Sequence, residues 1–388
     1  MNKKDIAEIK KQFTQDRCVI DRICACYVDA EKQKKTELNQ SFLTLSDEEM
    51  FKYFDIFRKS LSGTIGKNLM TMEFPLAEEE YGGKQEFLMK LRKSKLTNTE
   101  LLGEFYDKII ELYDYPENYL IILIHGNYDI PGKSSDGLEM DDASEEVYEH
   151  ILCCICPVNL SKAGLHYNSE TNSIEDCIRD WIVELPDVGF LFPLFEERST
   201  DIHGLLYYAK KAEKQHSEFV DQLLGCTAPL SPVNQKNTFN ALLEETLEET
   251  CEYETVVAIH EKLNEIIEAQ KEEPQPVVLT KSEVQRVLEE CGASDKKMER
   301  FEEQYDLNVG EDMSLTAANI TSTKKIEIKT PEVVVNVSPE SAQTIETRIL
   351  EGRRCLVIPL SSDVEVNGVH VNFTSLTPEQ ETEEQAEE

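Results

Sequence analysis

The sequence predicts an α+β protein, with a mixed sheet and helices in an N-terminal domain, a helical connector and a small C-terminal β module. Residues 119–130 and 147–158 are continuously apolar at their centres, which indicates strands buried on both faces. Strand and helix patterns occur together in the first half without strict alternation, which favours α+β over a parallel doubly wound sheet. From about residue 319 the hydrophobic period becomes two, which is typical of short strands.

The first elements follow from local patterns. Residues 17–28 are rich in β-branched and small apolar side chains, which predicts a strand. Ser46 and Glu49 have the spacing of a capping box, in which each side chain bonds the backbone N–H of the other residue, so we expect a helix to begin there. Thr97 and Glu100 have the same spacing and predict a second helix start.

The remaining elements of the N-terminal domain are a hairpin, a strand and a helix. Residues 163–174 predict a short hairpin around a polar turn, and residues 188–195 predict another strand. Pro193 lacks a backbone N–H, so we place it at a sheet edge or at the end of that strand. We expect residues 205–224 to form a helix that ends at Gly225, the residue type favoured just after helix C-termini.

A proline-rich segment, residues 226–235, marks the boundary of the N-terminal domain. Beyond it lie amphipathic helices, one of which begins at a capping box of Thr280 and Glu283. The pair Asn367-Gly368 predicts a tight hairpin among the last strands. The predicted divisions are an α+β domain (1–228), a helical region (229–310), a small β module (311–375) and a disordered acidic tail (376–388).

The charge of the chain restricts its partners. Seventy-six acidic residues against 40 basic residues give a formal net charge of −36. Such a surface repels phosphate backbones and anionic membranes, so we expect no direct contact with nucleic acid or membrane. The opening residues lack the pattern of a secretory signal, and the 11 cysteines are expected to be reduced thiols. These observations predict a soluble cytoplasmic protein.

The cysteines form two clusters in sequence, and both lie on predicted strands. If the strands are neighbours, thiolates could converge on zinc, which takes four ligands in a tetrahedron. The alternative is that the thiols are small buried hydrophobic groups, as free cysteine usually is. The candidate ligands are Cys24, Cys26, Cys153, Cys154 and Cys156.

An acidic loop at 129–142 lies between the two most apolar strands and offers a second candidate site. Carboxylates in a loop that contains glycine are ligands suited to calcium or magnesium, although the spacing of an EF-hand is absent. A solvated charged loop is the alternative. Arg198, a lone cation after two glutamates, is a candidate for a ligand pocket or an interface. The candidate carboxylates of the loop are Asp129, Asp136, Asp141 and Asp142.

Several familiar catalytic motifs are absent. The segment GTIGKN at 63–68 has a Gly-Lys pair, but Leu61 and Asn68 occupy the positions of the essential glycine and of the magnesium-binding hydroxyl in a phosphate-binding loop. The sequence contains neither HExxH nor GxSxG. His125 and His150 lie in or beside the two central strands, where we expect hydrogen-bonded core histidines.

Several segments spread over the chain carry a resemblance: NKKDIAEIKKQF, CACYVD, GKNLM with EFPL, DGLEMDDASEEVYEHILCCICPV, VGFLFPLFEERSTDI and RRCLVIP. Through them, nearly the whole chain resembles an uncharacterised domain-of-unknown-function family of Gram-positive, largely clostridial, bacteria. The C-terminal half also resembles, in its layout, bacterial nucleoid-associated proteins, because a helix ending in FVDQLLG precedes a helical linker, a FEEQY segment and a terminal β module.

These features favour a non-enzymatic adaptor whose partner is another protein, with an indirect association with the nucleoid through a DNA-bound partner. No cofactor is predicted for this function. The alternative is a metal- or redox-responsive protein, or an enzyme, that uses the cysteine clusters or the acidic loop with zinc or another divalent cation. The sequence leaves the oligomeric state open.

Overall fold

The computed structural model describes residues 1–133, 139–140, 146–248, 251–273, 275–310, 313–359, 364–366 and 368–371. Helices and strands are both abundant, so the predicted α+β class is confirmed. The first elements are α1 (Lys3–Lys10), β1 (Ile20–Val28), β2 (Lys34–Ser41), α2 (Asp47–Ser60), β3 (Leu69–Glu73), α3 (Leu76–Glu79), α4 (Lys84–Lys93), α5 (Thr99–Leu112), β4 (Tyr119–Ile130) and β5 (Gly132–Lys133).

The second group of elements is mostly strand. It consists of β6 (Glu139–Met140), β7 (Glu146–Leu160), β8 (Leu165–Asn168), β9 (Ser173–Asp176), β10 (Trp181–Val183), β11 (Val188–Phe192), β12 (Leu194–Glu196), β13 (Ser199–Asp201), β14 (Gly204–Ala209) and α6 (Ser217–Phe219). A π-helical turn, Val220–Leu224, continues α6. Gly225 follows it in the left-handed conformation, with φ of 73°, as expected for a glycine after a helix.

The strands β2, β1, β4, β7, β11, β14 and β3 lie side by side, in that order, in the main sheet. The predicted mixed sheet is antiparallel at every ladder between these strands. The longest ladder joins β4 to β7, from Tyr119 opposite Pro157 to Ile130 opposite Glu146. These two strands are the continuously apolar segments of the sequence, and they lie at the centre of the sheet.

Helices cover both faces of the main sheet. On one face, α4, α5 and residues 219–226 bury their apolar side chains against the strands; we call this the α4–α5 face. On the other, the α1–α2 face, both helices pack on the alternate residues of the same strands. Successive side chains of a strand point to opposite faces, so strands covered on both sides must be apolar at every position.

The predicted helix at 205–224 is wrong as far as residue 216, because the helix begins only at Ser217. Residues Gly204–Ala209 form β14, which pairs with β11 on one side and with β3 on the other. The apolar side chains of β14 are buried on both faces of the sheet. In such a short, continuously apolar segment, hydrophobic periodicity cannot distinguish a buried strand from a buried helix. Pro193 directly follows β11, so it lies at a strand end, as one of the two predictions had it.

Two of the three predicted capping boxes are confirmed. Ser46 begins α2 with Glu49, and Thr280 caps a later helix with Glu283. The third prediction was wrong, because the Oγ1 of Thr97 donates instead to the carbonyl of Ser94. Asn98 caps α5 through its side-chain oxygen.

The last third of the chain contains helices followed by hairpins. Its elements are α7 (Pro232–Leu247), α8 (Tyr253–Ala269), β15 (Val278–Leu279), α9 (Lys281–Glu290), α10 (Asp295–Asn308), β16 (Leu315–Thr316), α11 (Ala317–Ile320), β17 (Ile326–Lys329), β18 (Val334–Val337), α12 (Pro339–Ala342), β19 (Glu346–Leu350), β20 (Arg353–Val357), β21 (Val364–Val366) and β22 (Val369–Val371). The helices α7 to α10 share one apolar cluster with residues 315–320.

The strands after residue 325 form three separate hairpins, in which β17 pairs with β18, β19 with β20 and β21 with β22. Asn367 and the acidic tail lie outside the described residues. The predicted domain boundaries remain predictions. Among the described residues, no helix combines the length and the apolar character that crossing a membrane requires.

Candidate functional site

The five candidate cysteines lie on two strands, β1 and β7, but on both faces of the sheet. Cys24, Cys26 and Cys153 belong to the α4–α5 face, whereas Cys154 and Cys156 belong to the α1–α2 face. All five are fully buried. A sheet layer therefore separates the two sets of thiols, and no tetrahedral centre can take ligands from both sets.

The three thiols of the α4–α5 face are also kept apart. Leu123 of β4 pairs with Cys24 on one side and with Cys153 on the other, so two strand spacings, about 10 Å, separate their Cα atoms. Burial raises the pKa of Cys24 and of Cys26 to about 12, so both remain thiols. Among the described residues, no three His, Cys, Asp or Glu side chains are grouped as metal ligands.

The acidic loop is described at residues 129–133 and 139–140, where β5 pairs with β6. Asp129 is exposed near the end of β4, where it pairs with Val147 of β7. Asp136, Asp141 and Asp142 lie outside the described residues. A divalent-cation site at this loop therefore remains a prediction.

Arg198 is paired within the fold. It lies with Glu197 in the tight turn between β12 and β13, where both residues have positive φ, 64° and 50°. Its Nη1 lies 2.9 Å from Oε1 of Glu8 on α1, and its Nη2 donates to the carbonyl of Pro131 at 2.7 Å. Tyr128 also donates to Glu8 Oε1. The guanidinium thus ties helix α1 to the end of β4.

His125 lies between the carboxylates of Asp21 and Glu149, which no sequence motif identifies as its partners. Its Nδ1 is 3.1 Å from Oδ2 of Asp21, and its Nε2 is 3.0 Å from Oε1 of Glu149. The ladder between β1 and β4 shifts register at Asp21, and such a bulge redirects a side chain. The imidazole is fully buried, so these contacts brace three neighbouring strands, β1, β4 and β7. No sequence motif predicts this group of Asp21, His125 and Glu149, because the register of the three strands determines which of their residues lie side by side.

His150 lies on the opposite face of the sheet and is also fully buried. Its ring stacks on Tyr148, with centroids 4.8 Å apart, and the Tyr148 hydroxyl donates to the carbonyl of Pro193. Burial lowers the pKa of His150 to about 4, so the imidazole is neutral near pH 7. Its Nε2 has no hydrogen-bond partner among the described residues. This histidine fits a packing role better than a proton-transfer role.

A β arm, residues 161–185, extends beyond the main sheet. No residue in this range is buried. Strand β8 pairs with β9, and β10 pairs with the last residues of β7, so the arm is a two-stranded ribbon. Its exposed large apolar side chains are Leu165, Tyr167, Ile174, Ile178, Trp181, Ile182, Val183 and Leu185.

The arm presents both side chains and backbone. Tyr167 and Ile174 face each other across the β8–β9 ladder, and both are more than half exposed. Trp181, the single tryptophan of the chain, pairs with Leu160 and is 55% exposed. Among the described strands, β10 pairs only with β7, so its outer edge carries backbone groups that are free to bond another strand.

Comparison with known proteins gives a family but no activity. No curated protein matches the chain, and no solved structure matches it. One family model matches residues 1–369, which is nearly the whole chain. The chain therefore belongs to the family described as Domain of unknown function (DUF4317).

Proposed function

We propose that this chain is a non-enzymatic adaptor that binds another protein through its β arm. The observation that carries the proposal is the absence of any buried residue from 161 to 185 in a segment rich in large apolar side chains. A contiguous apolar surface that faces water is unfavourable by about 25 cal/mol for each Å², and in monomeric proteins such a surface commonly marks an interaction site.

The composition of the arm supports a partner of complementary charge and apolar character. The arm contains five carboxylates, of which Glu175 and Asp180 are examples, against Lys162 and Arg179. We therefore expect a partner with an apolar surface and a basic rim, which adds an extended segment to the free edge of β10. Two copies of this chain, each with a net charge of −36, repel one another, which favours a different protein over a second copy.

The test replaces two arm residues and measures binding. Ile178→Ser with Trp181→Ser removes two exposed apolar anchors, and Leu307→Ser, on the exposed surface of α10, is the matched control. A protein enriched by the wild-type chain from a cell lysate is purified, and its affinity for each variant is measured by calorimetry. We expect the arm variant to bind at least about tenfold more weakly and the control to bind like the wild type.

Three results would overturn this function. The first is a partner that binds the arm variant as tightly as it binds the wild type. The second is the absence of any protein whose capture depends on the arm. The third is a dimer, detected by sedimentation at rising concentration, that the arm substitutions dissociate, because the arm would then serve self-association.

Cytoplasmic location and indirect association with the nucleoid are part of the same proposal. The layout of the C-terminal half and the acidic charge support an indirect association, because the chain would reach DNA through a bound partner. A fluorescent fusion in cells is expected to overlap with a DNA stain only when the arm is intact. Overlap that persists in the Ile178→Ser, Trp181→Ser variant would contradict this route.

A further inference from the structure

A cleft of about 750 Å³ lies at the helical part of the chain, apart from the β arm. Helices α7 and α8 form part of its wall, and the segment from Ala318 to Glu327 forms another part. Lys67, in the loop before β3, reaches the cleft from the N-terminal part of the chain. The volume lies in the range of small-molecule sites.

The cleft has a charge opposite to that of the chain. Four lysines line it against only two glutamates, Glu244 and Glu327. Lys325 donates to the side-chain oxygen of Asn336. Within the described part of the chain, the other three ammonium groups form neither an ion pair nor a hydrogen bond, although acidic residues outnumber basic ones almost two to one. These three are Lys67, Lys236 and Lys324.

Asn319 adds a polar group whose orientation is fixed. Its Nδ2 donates to the carbonyl of Gly66 at 3.1 Å and to Oε1 of Gln235 at 3.2 Å. Gln235 is itself fixed, because its Nε2 donates to Leu230 and its Oε1 accepts from the backbone of Thr316. The Asn319 oxygen therefore cannot exchange places with the nitrogen.

The oxygen of Asn319 is a buried acceptor without a partner. The residue is 8% exposed and lines the cleft, and its Oδ1 bonds to no described group. A buried acceptor without a donor costs about 1–3 kcal/mol, so a ligand that donates a hydrogen bond there gains affinity. The same wall carries the hydroxyls of Ser322 and Thr323.

His260 contributes a neutral ring. Its Nδ1 lies 3.0 Å from Oγ1 of Thr321. Burial and the nearby charge of Lys236 both lower the pKa of His260. The positive charge of the cleft therefore comes from the lysines and not from this ring.

We propose that this cleft binds a small phosphorylated metabolite that also carries a hydroxyl group. The unpaired lysines neutralise the phosphate, and the Asn319 oxygen accepts from the hydroxyl. Lysine serves as a point charge for phosphate, and hydroxyl side chains complete its hydrogen bonding. Ligand binding at this cleft does not depend on the protein-binding role of the arm, and the two are tested separately.

Isothermal titration calorimetry tests the proposal with three probes: ribose 5-phosphate, inorganic phosphate and ribose. We expect ribose 5-phosphate to bind best, inorganic phosphate to bind more weakly and ribose not to bind. Lys236→Gln and Lys324→Gln are each expected to weaken ribose 5-phosphate binding about tenfold. Lys108→Gln, which removes the same charge from an ion pair with Glu104 on α5, is expected to bind like the wild type.

Loss of binding in the lysine variants must be distinguished from loss of folding. Lys236 and Lys324 are exposed, so both variants should retain the thermal unfolding curve of the wild type. Absence of heat with both phosphate probes at millimolar concentration would overturn the proposal, as would equal binding by Lys236→Gln, Lys324→Gln and Lys108→Gln. Equal affinity for inorganic phosphate and ribose 5-phosphate would overturn the role of the Asn319 oxygen.

Discussion

His150 lies directly against the Cα of Gly126, its partner across the β4–β7 ladder. A Cβ at position 126 would come within 2.9 Å of Cε1 and 3.0 Å of Nε2 of the imidazole, and within 3.2 Å of the carbonyl of Val19. The ring is fixed by its stack on Tyr148, so it cannot withdraw without losing that contact. Glycine at 126 is thus required by the histidine, and not by its own backbone angles.

Gly126→Ala should destabilise the protein by about 1–3 kcal/mol, because overpacking displaces the imidazole or the strand. Urea unfolding followed by circular dichroism measures this change. Gly103→Ala is the matched control, since a Cβ there meets nothing within 4 Å and alanine favours the helix α5. The control should be neutral or more stable by up to about 1 kcal/mol. Equal effects of both substitutions would refute the contact.

Acid should destabilise the wild type through His150. Its folded pKa of about 4 lies below the unfolded value of 6.5, so the unfolded chain takes up the proton first as the pH falls. The stabilising contribution is complete above pH 6.5 and is lost progressively down to pH 4, about 3 kcal/mol in all. His150→Gln should remove this part of the pH dependence of unfolding. An unchanged slope between pH 6.5 and 4 in the variant would contradict the assignment.

The buried thiols should resist alkylation. Burial raises the pKa of Cys154 to about 12 and that of Cys153 well above its usual value, and the thiolate is the reactive form. Iodoacetamide at pH 8, followed by peptide mass spectrometry, should label exposed Cys251 and leave Cys153 and Cys154 intact until denaturant is added. Native labelling of Cys153 as fast as that of Cys251 would show that the core opens.

The pair between Arg198 and Glu8 should be worth more than a surface pair, because both side chains are only 21% exposed. A double-mutant cycle with Arg198→Ala and Glu8→Gln isolates their coupling from the other contacts of each residue. We expect about 1 kcal/mol by urea unfolding. The same cycle on Lys108 and Glu104, an exposed pair on α5, should give about 0.3–0.5 kcal/mol. If the coupling energy between Arg198 and Glu8 is no larger than that between Lys108 and Glu104, the Arg198 pair does not stabilise the contact between α1 and β4.

Local signals in the sequence predict the elements whose cause is local. Side-chain spacing alone places the caps at Ser46 and Thr280, and composition alone identifies β4 and β7 as buried strands. The division of Cys153 and Cys154 between two faces also follows from adjacency on a strand, once the strand is known. The sequence pattern of β14 predicts a helix, and this prediction is wrong because the neighbouring strands in the sheet, and not the hydrophobic period, determine its structure.

The candidate sites depend on contacts between distant residues. Lys67 lines the same cleft as Lys236 and Lys324 only because the loop before β3 packs on the segment that holds Asn319. The contact of His125 with Asp21 requires a bulge in β1 that no residue pattern predicts. The sequence also does not predict that the arm is exposed. Alternating apolar and polar residues predict the strands of a hairpin, but they do not show whether another surface covers those strands.

Trp181 gives the arm an optical property that the rest of the molecule lacks. Because the chain contains one indole, all tryptophan fluorescence of this protein originates from the ribbon, while the tyrosine-rich cores contribute nothing at tryptophan-selective excitation. The emission of the isolated chain is then that of a partly hydrated indole, and a blue shift signals that the ribbon has been covered, whatever the state of the two faces of the sheet.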